Sequence, residues 1–197
     1  MADPVYLSLW YPSFDAEDML PRALSVMRQF PFSSQQPGIR GVALHPVSWN
    51  EATILEKRFD PGITPEAAVL IASDLLHADY AYVFEAAWDL WIRGEEKREW
   101  GLRPSRVKFR AHGEEFEDEA FRQEGHIQVD FGMDSPFLQE NVQLTMEGEE
   151  RVLANVRKLV EFTMKAEKAS GANSRLLRSE SEENLAQRLI ARLQKVQ

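Results

Sequence analysis

The chain reads as an α+β protein, a mainly antiparallel sheet with helices on one face. Strand-like and helix-like segments follow the order β-α-β-β-α-β and then run on into further strands and two helices, the succession that lays helices on an antiparallel sheet. The segments Arg106–Ala111 and His126–Phe131 alternate between polar and apolar residues, as strands buried on one face do. A hydrophobic fraction of 44% over 197 residues is enough for one sizeable core. The first six elements match the ferredoxin-like β-α-β-β-α-β order, extended here by further antiparallel strands. That match concerns architecture and implies no function.

Tyr6–Tyr11 is a short aromatic and aliphatic run closed by Pro12, which predicts a strand. Helical spacing follows at Met19, Leu20, Ala23, Leu24, Met27 and Phe30, with Asp15 or Ser13 as the cap and Pro31 at the end. Ile39–Val47 and Ala52–Phe59 are strand-like and join around Ser48-Trp49-Asn50. Thr64-Pro65-Glu66 marks a helix start, because the hydroxyl accepts a free N–H, proline fits the first turn and glutamate suits the positive dipole end.

Tyr80–Ile92 fits two templates. Tyr80, Tyr82, Phe84, Ala86, Trp88 and Leu90 alternate with a face carrying Glu85 and Asp89, yet no Gly or Pro separates the segment from the preceding helix. Aromatic density and alternation favour a strand. Gly113–Gly125 connects the two alternating strands. Val142, Leu144 and Met146 fit a last short strand, and a helix is predicted from Glu149 to Ala169. A polar break, Ser170–Ser174, separates it from a final amphipathic helix with Leu185, Leu189, Leu193 and Val196 in register, opened by a Ser179–Glu182 capping box. Residues 1–170 therefore read as an α+β sandwich domain. Residues 171–197 read as a short linker and a helical appendage, not a second domain.

Charge is unevenly placed. The net charge is −9, but Gly113–Glu150 alone holds twelve acidic residues and one basic residue, while 151–197 holds ten basic and five acidic ones. Such a balance opposes nucleic-acid binding, which needs clustered Lys and Arg. No stretch nears the roughly 20 apolar residues that span a bilayer, and the N-terminus lacks a secretion-signal pattern, so a cytoplasmic protein without membrane contact is expected. There is no cysteine, which excludes disulfides, thiolate nucleophiles and cysteine-ligated metals.

No motif names a reaction. Nucleophile elbows, Ser-x-x-Lys tetrads and glycine-rich phosphate loops are absent, and no cofactor is implied. The chemistry-bearing side chains gather instead on the polar side of the alternating strands. If that side were enclosed, Glu85 or Asp89 would be the base, His126 an acid–base partner, and Arg106 or Arg110 an anion clamp. If it were open, the same residues would be weak cross-strand ion pairs. Trp49 and Trp100, expected in loops, are candidates for ligand or partner contact.

Glu114, Glu115, Glu117, Asp118, Glu119, Asp130 and Asp134 make divalent-cation binding by the 113–134 region a second alternative. Their spacing is not that of a calcium loop, and His112 and His126 have no local ligand spacing, so no metal site is assigned. The expected function is a non-enzymatic binding or assembly module. Assembly is expected as a homo-oligomer in which the basic C-terminal helix docks on a second copy and meets its acidic surface.

Overall fold

The computed structural model describes residues 3–94, 99–138, 143–179 and 185–194. Its strands form one seven-stranded sheet, in which the strand pairs among the described residues are antiparallel. In chain order the elements are β1 (Pro4–Trp10), α1 (Ala16–Met27), β2 (Ile39–Pro46), β3 (Leu55–Ile63), α2 (Pro65–Ser73), β4 (Tyr80–Arg93) and β5 (Trp100–His112). There follow α3 (Phe121–Glu124), β6 (Ile127–Met133), α4 (Met146–Ser170), β7 (Ser174–Ser179) and α5 (Leu185–Gln194). The order across the sheet is β3-β2-β4-β5-β6-β1-β7.

The α+β class agrees with the sequence reading; the ferredoxin-like order is not confirmed. The sheet is larger than a ferredoxin-like one, and β1 lies between β6 and β7, away from β2, β3 and β4. Tyr80–Ile92 is strand, within β4. Trp100 opens β5 rather than lying in a loop. Met146 starts α4 rather than ending a strand; Val142, the Glu180–Glu182 part of the capping box and Val196 lie outside the described residues. Within the segment read as a linker, residues 174–179 form β7 and pair with β1 from Val5↔Ser179 to Trp10↔Ser174.

Local chemistry explains the helix limits. Asp15 caps α1 by accepting the backbone N–H groups of Glu17 and Asp18, and the Thr64 side chain accepts that of Ala67 to start α2. α4 ends at Gly171, which adopts φ 72° and donates its N–H to the Glu167 carbonyl. That left-handed conformation is the one glycine enters without a Cβ penalty.

The strand period then sorts residues between two faces. Leu7, Val42, Leu44, Phe84, Trp88, Phe109, Val129 and Phe131 point to the covered face and are buried beneath the helices. Its centre is an aromatic block. Phe30 lies 5.4 Å from Trp88, 5.1 Å from Phe109 and 5.3 Å from Phe162 between ring centroids, and Trp88 stacks on Phe131 at 5.2 Å. Phe30 follows α1, and Phe162 belongs to α4, so this block joins both helices to the sheet. α5 packs on α4 and β7, with Leu185 and Leu189 buried in the same core.

Truncating the block should be among the most damaging single changes. Phe162→Ala is expected to lower unfolding stability by about 3–5 kcal/mol, the range for deleting a buried aromatic ring. Urea unfolding checks this: the midpoint should fall with the slope unchanged, and a loss under about 1 kcal/mol would show that α4 is not held by this contact.

Candidate functional site

On the other face of the sheet α3 closes the His126 end, and away from it the side chains follow from register. Directly paired residues in an antiparallel sheet project to the same side. One row across this face runs Arg58, Gly41, Glu85, Lys108, Asp130, Tyr6 and Arg178. The next runs Glu56, Ala43, Val83, Arg110, Gln128 and Ser8. In both rows the β2 and β4 positions are mostly small while the flanking strands carry long charged chains. A groove results, floored by Gly41, Ala43, Val83 and Ala87 and walled by β3 on one side and β5 on the other.

Two adjoining compartments make up the groove and share Arg58 and Glu85. One, of about 350 Å³, is bordered by Gln36, Arg40, Asp60, Ala87 and Arg106. The other, of about 490 Å³, is bordered by His45, Trp49, Thr53, Glu56, Lys108 and Arg110. Both volumes fall in the range of small-molecule sites.

Inside the groove the carboxylates are already matched. Asp60 pairs with Arg40 at 3.2 Å, Glu56 with Arg58 at 3.9 Å, and Glu85 with Arg58 at 2.5 Å and Lys108 at 4.0 Å. Arg110 reaches Asp130 at 2.9 Å, binds Gln128 and lies over the Trp49 ring at 5.8 Å. Among the described residues Arg106 has no carboxylate within 4.0 Å, and Lys108 shares Glu85 with Arg58. Arg106 and Lys108 stand two residues apart on one side of β5, opposite Ala87 and Glu85. The unmatched charge in the groove is therefore positive, on a chain whose net charge is −9.

The face thus unites Glu85, Arg106 and Arg110, and Trp49 joins them. Asp89 does not take part as a base. Its carboxylate accepts hydrogen bonds from Ser33 Oγ at 2.5 Å and from Ser34 N and Oγ at 2.9 Å. Burial pushes its pKa up, but these bonds and the Lys158 ammonium outweigh it and hold the group below the ordinary value. Ser33 Oγ in turn accepts from the Gln35 and Gln36 amides, so Asp89 positions the loop that brings Gln36 to the groove. Trp100 packs away from the groove: its indole Nε1 would lie 3.3 Å from a Cβ placed on Gly148 of α4.

His126 also lies apart from the groove. Its ring stacks on Phe14 at 4.7 Å and on Phe121 at 4.5 Å, and its Nδ1 accepts the Tyr11 backbone N–H at 3.0 Å. That bond fixes the proton on Nε2, which faces Glu114 at 3.6 Å. His112 carries the opposite tautomer. Its Nδ1 donates to the Gly125 carbonyl at 2.9 Å, leaving the Nε2 lone pair 3.4 Å from the Glu124 carboxylate. Both Nε2 atoms are sealed from solvent and, among the described residues, lack a hydrogen-bond partner. Binding a metal through His126 Nε2 would sacrifice the Tyr11 bond, and among the described residues no three or more His, Asp or Glu are grouped to hold a metal.

The acidic connection is clamped over this end of the sheet. Glu117 donates its N–H to the Val47 carbonyl at 2.8 Å, and its carboxylate accepts the Trp49 N–H at 2.6 Å. Val47, Glu117, Asp118 and Glu119 all have positive φ, between 47° and 67°. Non-glycine residues hold that conformation at a cost of about 1–2 kcal/mol each, so the clamp and the packing of Phe116, which is fully buried, must offset it. No sequence signal marked this turn, because neither glycine nor asparagine occupies it. His45, at the Trp49 end, was likewise missed; burial, with Arg110 and Lys108 nearby, holds it below the usual imidazole value although Glu56 pulls the other way.

In comparison with known proteins, no family model matches the chain, and no curated protein or solved structure matches it.

Acid should loosen the His112–His126 end. Burial lowers the pKa of His112 to about 4, with Arg110 acting in the same direction while the Gly125 hydrogen bond and Glu117 oppose it. Burial lowers His126 to about 4 as well, helped by His112. Groups depressed below their unfolded value of 6.5 stabilise the fold fully above that pH and lose their contribution as pH falls towards 4. At pH 5 the loss is about 2 kcal/mol per histidine relative to pH 8. Imidazole NMR titration checks the cause: both rings should stay neutral to below pH 5, and titration near 6.5 would contradict the burial of these rings.

Proposed function

We propose that the protein is a non-enzymatic binding module whose ligand is a small anion seated in the groove, between Arg106 and Lys108 above Ala87. The single observation behind this is the charge match: among the described residues each lining carboxylate already has a cation, and Arg106 is left over. An anion can add there without breaking an existing pair. Charge-assisted hydrogen bonds from arginine and lysine are the strong class of polar contact, and since Arg106 is exposed they are screened by salt.

Two features weigh against an acid–base enzyme in this groove. The residues the chemistry requires are separated: Asp89 is committed to Ser33 and Ser34, and His126 is enclosed by Phe14, Phe121 and Tyr11. Glu85 is held by two cations. The assembly alternative loses part of its basis for a similar reason, since Leu185 and Leu189 of the C-terminal helix are buried within the chain's own core. No helix among the described residues is long and apolar enough to cross a membrane.

Isothermal titration with inorganic phosphate tests the seat. One saturable site that weakens with ionic strength is expected, with about tenfold lower affinity in Arg106→Ala. Equal affinity in wild type and variant, or no saturable uptake, would refute an anion seat at Arg106.

A further inference from the structure

Resting on that anion seat, we infer that the ligand is a phosphate ester of a planar heterocycle, bound along the groove with its ring in the Trp49–His45 compartment. The two compartments form one path, because Arg58 and Glu85 border both. Arg106 and Lys108 stand opposite Ala87 and Glu85, and His45 opposite Ala81, so the seat lies four to six residues from His45 along β4. At about 3.3 Å per residue that separation is about 13–20 Å, room for a phosphate, a five-carbon sugar and one ring. A bare inorganic anion would leave most of this path empty.

The far compartment suits an uncharged ring. Its volume is about 490 Å³, and its floor is the apolar pair Ala43 and Val83. Trp49 and His45 border it, their ring centroids 4.8 Å apart. The Nδ1 of His45 has less than 1 Å² of exposed surface, so His45 meets the compartment with ring surface and not with that nitrogen. A heterocycle has the flat apolar faces that suit such a lining. Between the ends, Glu56, Glu85 and the Thr53 hydroxyl offer acceptors to sugar hydroxyls. Phosphate recognition here uses side chains on strands, consistent with the absence of any glycine-rich phosphate loop from the sequence.

A ligand ladder on the full chain separates this inference from the anion seat beneath it. Affinities for inorganic phosphate, ribose 5-phosphate, adenosine 5′-monophosphate and uridine 5′-monophosphate are measured by titration calorimetry. At least one nucleotide is expected to bind tenfold or more tighter than ribose 5-phosphate, the size of effect that one stacked base supplies. In His45→Ala that advantage should fall below threefold. Trp49→Phe, which keeps a ring against Phe116, should also reduce it if the first variant unfolds. Nucleotides and ribose 5-phosphate binding alike would overturn the heterocycle inference and leave the anion seat standing. A nucleotide advantage that survives both variants would place the ring elsewhere and overturn it too. No binding by any of the four would remove the seat and the inference together.

Discussion

The aromatic block formed by Phe30, Trp88, Phe109, Phe131 and Phe162 ties α1 and α4 to one face of the sheet, and the opposite face inherits its geometry from that attachment. Strand side chains alternate, so once Phe84, Trp88 and Phe109 are directed into the core, Glu85, Ala87, Lys108 and Arg110 have no choice of side. A slip of one residue would bury the three charges of Glu85, Lys108 and Arg110 and expose the ring cluster. The register of the uncovered face is thus set by the covered one.

On the uncovered face the controlling term is electrostatic. Charged chains standing on a sheet without a helix over them lower their energy by pairing with cross-strand neighbours, and the groove's carboxylates do so. Such pairs are individually weak near water. Their consequence is selectivity: the groove discourages a second carboxylate from joining the wall but leaves Arg106 available. The acidic connection, bearing most of the chain's net charge, is kept at the groove's end and tied there by Glu117, Val47 and Trp49.

Much of the fold was legible where local pattern decides it. The alternation in β4, β5 and β6 and the Asp15 and Thr64 caps are local facts. Sheet order is not local, and nothing in β1 itself says that it pairs with β6 and β7 rather than with β4. β7 was missed because Arg175-Leu176-Leu177-Arg178 is too short to show a period, and because the polar residues before it resemble a linker. Glu85, Arg106 and Arg110 were recognisable as sharing a face since the period of two places them there. Asp89 and His126 were not separable from them by sequence: Asp89 shares the period but is captured by a distant loop, and His126 sits where β1 and α3 close over the strand end. His45 gave no signal, since a lone histidine in a strand carries none.

The most direct measurement is an amide chemical-shift map recorded while inorganic phosphate is added to the protein. A ligand seated between Arg106 and Lys108 must shift the amides of residues 85–87 and 106–108 most, with α1 and α4 nearly still. Shifts concentrated in the 113–125 connection or on the helical face, or none at saturating phosphate, would contradict a groove built to hold an anion.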